Sequence, residues 1–335
     1  MKETTRPVTI ADVAARAGVS VPTVSRVLTG AARVSAGKRA LVEAAIAELK
    51  YHPSAAARVL ASRKSQVVGV IAGDTSRYGY AETIRGIEES ARSEGYTVMI
   101  TVVESALPEH VEHAVAAAMT QPLAGVIVLK FDPPGVAALA RIPPSVPVVA
   151  LSGARDTSVP QAVLDEARAA EELTAYLLGL GHRTVHHVRV PPSRKEDGRT
   201  TGWRRALRKA GAEIPAPYDA TWEARSGVAI GRTLAANEVT AVLCGNDEIA
   251  MGVIRGIVDA GRRVPEDVSV AGFDDHPLAE LWSPALTTAH QDFAALGRRG
   301  MALLLGQLRE DGGRRFSSER PAIVLRDSTA PPSRP

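Results

Sequence analysis

Residues 9–28 read TIADVAARAGVSVPTVSRVL, two short helical patterns on either side of Ala17-Gly18-Val19-Ser20. Thr9 is placed to cap the first helix, and Asp12, three residues on, faces the positive end of its dipole. Ile10, Val13, Ala14 and Ala17 then share one face. Gly18 supplies the positive φ that a tight helix exit needs; Ser20 caps again at once, and Pro22 falls in the first turn, where a missing N–H costs least. The spacing predicts two helices crossing through a three- or four-residue turn. This is the helix-turn-helix geometry, in which the second helix lies in the major groove of DNA.

Charge follows the same division. Residues 1–65 hold eleven Lys or Arg against four Asp or Glu, a balance of +7, whereas the 335-residue chain totals +3, leaving −4 for residues 66–335. A local basic segment attracts phosphates by counterion release, and the acidic remainder has no such affinity. The length suffices for a small head and one or two α/β lobes with full cores. The lone cysteine, Cys244, lies in the apolar run Ala241-Val242-Leu243-Cys244; it reads as core packing and fits a reducing cytosol, so the expected location is cytoplasmic. No apolar run reaches the ~18 residues of a membrane span, and the polar N-terminus lacks the apolar core of a signal peptide.

Outward from the helix pair, a third helix is expected over 36–49, where Leu41, Val42, Ala45, Ile46 and Leu49 cover one face. Tyr51-His52-Pro53 then breaks it. Residues 54–61, SAAARVLA, can form about two helical turns, too few to be stable in water without support. From Val67 the texture changes to β-branched runs at 67–71, 97–103, 125–129, 146–151, 184–188, 241–244 and 269–273. Helical patterns lie between them, for example at 81–93, 166–180, 199–210 and 249–260. Buried strands alternating with helices predict parallel sheets covered on both faces. The fold class expected is therefore α/β: an all-α helix-turn-helix head followed by a two-lobed core. The boundaries expected are a head at 1–53, a hinge helix and linker at 54–65 and a core at 66–330. Lobe 1 takes about 66–163 and 292–325, with a helix over 292–308 and a late strand over 322–325; lobe 2 takes about 164–291. The Pro-rich tail from Ala330 to Pro335 reads as disordered.

These residues carry a resemblance. Val8-Thr9-Ile10 with Asp12-Val13-Ala14, Ala17-Gly18-Val19-Ser20, Thr23-Val24-Ser25-Arg26-Val27-Leu28 and Val34-Ser35 resemble the headpiece of the lactose-repressor (LacI/GalR) family of bacterial transcription regulators. The likeness continues through Gly181-His182-Arg183, Arg199 with Gly202-Trp203, Asn246-Asp247 with Ala250 and Gly252, Gly272-Phe273-Asp274-Asp275, Leu286-Thr287-Thr288 with Gln291, and Leu325-Arg326-Asp327-Ser328-Thr329. It implies a periplasmic-binding-protein-like core closing on a small effector, and a homodimer that binds a roughly palindromic operator in double-stranded DNA.

By resemblance, the base-reading positions are Val21, Pro22 and Arg26. Arg26 can fork onto guanine, whereas Val21 and Pro22 offer only apolar contact, as to a thymine methyl. Thr9, Ser20, Thr23, Ser25 and Arg33 suit phosphates, although Thr9 and Ser20 serve equally well as caps alone. Leu60 matches the family's hinge leucine, which pairs with its twin and wedges into the minor groove, and Ala57 is small enough to approach the groove floor. The effector positions implied are Arg199, Asn246, Asp274 and Gln291, with Trp222 matching an aromatic that covers the ligand. Such forked donors, acceptors and an aromatic face suit a polyhydroxylated ring, so the effector expected is a carbohydrate. Arg77 and Tyr80 lie where the cleft floor belongs, and Ser152 stands where many relatives place a ligand-binding aspartate. Both departures leave an acidic, nucleoside or larger effector open. Asp247 reads as a helix N-cap and Asp275 as a solvated turn carboxylate.

Catalytic patterns are absent: there is no G-x-S-x-G, H-E-x-x-H or paired C-x-x-C, and Gly37-Lys38 lacks the rest of a P-loop. No catalytic residues are expected, and no cofactor. His186 and His187 point to opposite faces of a strand, and with His182 they lack an acidic or Cys partner at ligand spacing, so no metal site is expected. The rival reading is a transport-type small-molecule binding protein, against which the basic head argues.

Overall fold

A computed structural model describes residues 8–28, 34–51, 65–155, 159–191, 197–309 and 314–333. The chain divides into two compact units, Met1–Gln66 and Val67–Pro335.

The first unit contains α1 (Ile10–Ala17), α2 (Val21–Leu28) and α3 (Ala36–Leu49). Thr9 closes α1 with a reciprocal box: its hydroxyl accepts from Asp12 N (3.4 Å), and its backbone N–H donates to Asp12 Oδ2 (2.8 Å). Gly18 ends the helix in the left-handed region, φ 64°. Val13, Ala14, Ala17, Val24, Val27, Val42, Ala45 and Tyr51 bury together as the head's core. The 54–65 hinge expectation, with Ala57 and Leu60, and Arg33 as well, fall outside the described residues, apart from Ser65.

The second unit holds two parallel sheets. In lobe 1, β1 (Val67–Ala72), β2 (Thr97–Val102), β3 (Gly125–Leu129), β4 (Val148–Ser152), β5 (Gln161–Leu164) and β11 (Phe316–Glu319) form a six-stranded sheet in the order β11-β5-β4-β3-β1-β2. Every neighbouring pair is parallel. Helices α4 (Tyr78–Ser93), α5 (Pro108–Met119), α6 (Pro133–Leu139) and α11 (Phe293–Leu308) belong to this lobe. Its central strands are apolar because both their faces are covered, as in β3, where Val126, Ile127, Val128 and Leu129 are each 0% exposed.

Lobe 2 is a four-stranded parallel sheet, β7-β6-β8-β9, from β6 (His186–Arg189), β7 (Tyr218–Asp219), β8 (Ala241–Cys244) and β9 (Ser269–Ala271). It packs with α7 (Glu166–Gly179), α8 (Gly198–Ala210), α9 (Ala224–Ala235) and α10 (Asp247–Asp259). Cys244 is buried in this core.

The late chain meets one expectation and corrects another. The late strand forms as β12 (Ala322–Val324), which pairs antiparallel with β10 (Thr288–His290). The chain beyond then docks on lobe 2, where Ser328 Oγ donates to Val270 O (2.6 Å) and accepts from Thr287 N (2.9 Å). The tail also begins ordered. Ala330 N donates to Ser269 Oγ (2.9 Å) and Ala330 O accepts from it (2.8 Å), so backbone groups with buried partners overrule the Pro-rich composition.

Candidate functional site

In the head, burying Val24 and Val27 turns the opposite face of α2 outward. Val21 (40% exposed), Pro22 and Arg26 are all exposed on it, while Thr23 and Ser25 are half-buried. Ser20 and Thr23 share a hydroxyl hydrogen bond of 2.9 Å, and Thr9 also donates its hydroxyl to Asp12 Oδ2 (2.7 Å). The exposed face thus combines one long cation with small apolar and hydroxyl groups. That composition suits contact with base edges and phosphates.

The second unit contains a cleft between its lobes. Its lining comes from chain segments just beyond the C-terminal ends of the strands: Arg77 after β1, Lys130 after β3, Ser152 at the end of β4, Val190 after β6, Asn246 after β8 and Asp274 after β9. Open parallel sheets bind ligands at this edge, because the crossover helices begin there. Six of the seven effector positions expected from sequence line the cleft: Arg77, Tyr80, Arg199, Trp222, Asn246 and Asp274. Gln291 lies behind it. It is 1% exposed, donates Nε2 to Asp274 Oδ1 (2.7 Å), and so orients a cleft carboxylate.

Arg199 is the hub of the lobe 2 wall. Its guanidinium donates to Glu166 Oε1 (2.9 Å) and to the carbonyl of Gly245, lies 3.2 Å from Asp274 Oδ1, and packs over the Phe273 ring at 4.5 Å. Those carboxylates hold its pKa above the usual arginine value despite burial. Burial pushes the Asp274 carboxyl up to about 6, although Arg199 and Gln291 favour its charged form. Glu166 reaches this position because Gly153 and Gly198 press against it; a Cβ on Gly153 would overlap its carboxylate. Asn246 is the helix cap rather than Asp247: its Oδ1 accepts from Ile249 N (2.9 Å), and its Nδ2 donates to Glu248 Oε2 (3.3 Å). Asp247 is buried instead, accepting from Thr288 Oγ1 (2.6 Å) and His276 N (2.7 Å), and burial raises its pKa well above the usual carboxylate range. Asp275 is likewise not a solvated carboxylate, since Arg326 (2.7 Å) and His290 (3.0 Å) bind its two oxygens.

On lobe 1, Tyr80 is buried and donates its hydroxyl to Asp132 Oδ2 (2.5 Å), while Asp132 Oδ1 accepts from Gly135 N (2.8 Å). Ser152 directs its hydroxyl to Ala154 O (2.7 Å). Arg77 stacks across the cleft on Trp222, 4.7 Å from the ring, and Tyr78 meets His276 edge-on at 4.8 Å, so the two lobes touch through aromatic and cationic groups.

Sequence reasoning missed Lys130, Glu166, Asp197 and Glu248, all of which line the cleft. Each stands beside a strand end or in a first helical turn, and that position is the signal that could have found them. Of the three histidines considered, His182 and His187 face hydrogen-bond partners, Thr240 with Ser269 and Leu243 with Thr200 respectively. Among the described residues no group of three His, Cys, Asp or Glu is arranged to hold a metal, and no helix is long and apolar enough to cross a membrane.

A helix-turn-helix head on a two-lobed core with an interlobe cleft defines a DNA-binding regulator with an effector-binding domain. Residues 9–54 match the bacterial regulatory proteins, lacI family, and residues 174–329 match the periplasmic binding protein-like domain. The chain is 32% identical over 304 residues to the lactose operon repressor of Escherichia coli (strain K12), covering 90% of this chain and 84% of that protein. It is 32% identical over 333 residues to the HTH-type transcriptional repressor PurR of Pectobacterium carotovorum, covering 96% and 97%. In structure it resembles the Lac repressor dimer bound to operator and the anti-inducer ONPF, with a TM-score of 0.89 at 30% identity over 97% of this chain and all of that one. The chain belongs to the lacI family and is a transcriptional repressor with an effector-binding domain. Its relatives are DNA-binding repressors, not enzymes.

Proposed function

We propose that this repressor binds a pseudo-palindromic operator as a homodimer and that a polyhydroxylated small molecule, seated between the lobes, sets its DNA affinity. The observation that carries the effector reading is Arg199 held between Glu166 and Asp274 on one wall, with the Trp222 ring also lining the cleft. Carboxylate and guanidinium edges exchange hydrogen bonds with ring hydroxyls, and an indole face packs against the C–H side of a sugar. Asp274 is the acceptor, Gln291 positions it, and Asn246, Tyr80 and Arg77 complete the enclosure. Arg26 reads a guanine in each half-site, Val21 and Pro22 make apolar base contacts, and Thr9, Ser20, Thr23, Ser25 and Arg33 fix the head on phosphates. Leu60 and Ala57 would act at the operator centre. Effector binding shifts the population between two lobe arrangements, only one of which suits the operator; the same parts serve an inducer or a corepressor.

The test is selection of a preferred site from a random duplex library, followed by titration. Arg26→Ala should lower affinity for the selected site by about tenfold or more per half-site, at 1–3 kcal/mol per bidentate contact, and leave effector binding intact. Leu60→Ala should act in the same direction. Unchanged operator affinity in Arg26→Ala, or carbohydrates that leave DNA binding unaltered, would contradict the reading.

A further inference from the structure

The aromatic residues of this chain gather at the cleft. Of its thirteen Phe, Tyr and Trp side chains, five line that one site: Tyr78, Tyr80, Phe131 and Phe293 from lobe 1 and Trp222 from lobe 2. Between its strands and helices lobe 1 is packed mainly by aliphatic groups, such as Val68, Val70, Ile127, Leu129 and Leu151, all 0% exposed. The four rings stand instead near the C-terminal ends of the strands, where open parallel sheets seat their ligands.

Three segments far apart in sequence bring them there. Tyr78 and Tyr80 open α4 after β1, Phe131 follows β3, and Phe293 begins α11. Gly79 gives Phe293 its place, since a Cβ there would lie 2.9 Å from Phe293 Cζ. The rings meet edge-on: Tyr80 with Phe131 at 5.1 Å and 77°, Tyr78 with Phe293 at 5.9 Å and 87°, and Phe131 with Phe293 at 6.5 Å and 66°. Edge-on packing sets no two of them face to face, so the offset parallel stacking that a flat guest can make is unused within the cluster. Tyr80 and Phe293 are buried, whereas Tyr78 and Phe131 are half-buried and offer a guest the more accessible surface. The lobe 2 wall is of another kind, with Arg199, Glu166, Asp274 and Asn246 presenting polar edges. A molecule that uses both walls has a flat apolar ring toward lobe 1 and hydroxyls toward lobe 2.

We infer that the effector is a sugar joined to a planar ring, as in a nucleoside or an aryl glycoside, with the planar ring lodged against Tyr78 and Phe131 and the sugar hydroxyls on the polar groups of lobe 2. This rests on the reading of the cleft as the site of a hydroxylated effector. The joined form touches both lobes at once, which is what a ligand needs in order to favour one lobe arrangement over another.

Calorimetric titration of the full-length protein decides the matter. The probes are ribose, glucose and galactose, their methyl β-glycosides, the nucleosides adenosine, guanosine, cytidine and uridine, and the phenyl β-glycosides of glucose and galactose. The expected result is that at least one nucleoside or phenyl glycoside binds about tenfold or more tightly than its free sugar and methyl glycoside. The nucleoside and phenyl arms tell which planar ring is meant. Phe131→Leu keeps an apolar group but removes the flat face, and should cut that preference to about threefold or less, while Phe131→Tyr should keep it. Circular dichroism establishes that each variant is folded. If Phe131→Leu fails to fold, the ratio of ring-bearing to ring-free ligand in the unaltered protein carries the decision. Free sugars or methyl glycosides binding as tightly as their ring-bearing counterparts would overturn the inference and leave the cleft reading standing, and so would a preference kept in full by folded Phe131→Leu. Binding by no probe of any class would overturn both.

Discussion

Asp274 sits in the left-handed backbone region at φ 107°, against the Arg199 guanidinium, with its carboxyl held up at about 6 by burial. A non-glycine residue in that conformation costs on the order of 1–3 kcal/mol, and such strain is retained where a side chain must be aimed. The raised value also makes a linkage prediction. The folded state holds this proton more tightly than the unfolded chain, so the group's stabilising contribution is present below pH 4 and is lost as pH rises through about 6. Asp274→Asn should therefore match the parent protein near pH 4 and exceed its stability by up to about 3 kcal/mol above pH 7. Urea unfolding at both pH values checks this, and a gap independent of pH would exclude it. Arg199 and Asp274 could be picked out in the sequence because their types and order match the family. Lys130 could not, since a lone lysine after an apolar strand is read as a solvated end until the opposite lobe encloses it.

Helices α9 and α10 meet along a seam of four glycines, Gly227 and Gly231 against Gly252 and Gly256. Each pair is spaced by four, which places both on one helix face, and the backbones then approach closely enough that no Cβ fits. A Cβ on Gly256 would overlap Val228 O and lie 3.0 Å from Gly231 Cα. Gly256→Ala should cost about 1–3 kcal/mol by overpacking, outweighing the roughly 1 kcal/mol that alanine gains in helix propensity. Gly179→Ala in α7, where a Cβ meets nothing within 4 Å, should instead stabilise. Thermal unfolding of the two variants should move in opposite directions; equal shifts would exclude the seam as the cause. The same glycines make α9 hard to read from sequence. Its ARSGVAIGRTLA pattern has weak propensity, and the helix forms because α10 covers it. Strands β7 and β11 escaped for related reasons, the first being two residues long and the second a polar edge, FSSE, whose partner β5 lies far off in the chain.

At the scale of the molecule, one loop of lobe 2 exposes Leu278 (48%), Leu281 (75%) and Trp282 (37%) together. Large apolar side chains exposed this close together suit a contact, and if the homodimer uses this loop, the occupant is a second copy of the same region. The double variant Leu281→Asp, Trp282→Asp should sediment as a monomer and lose most of its operator affinity. Its effector affinity should change little. A dimer mass for this variant would place the interface elsewhere.

The head was readable residue by residue because its signals are local: a capping hydroxyl, a left-handed glycine and a proline act within one or two turns of their own chain. The alternation of apolar strands and helices likewise settled the parallel α/β class, since burial on both faces demands it at any one strand. What tertiary structure alone decided is which charges meet. Arg77 reaches Trp222, Arg199 is shared by Glu166 and Asp274, and the end of the chain returns to lobe 2 through Ser328 and Ala330. Such encounters depend on crossovers between segments far apart in sequence, and the desolvation that gives each charge its character exists only once both lobes are in place.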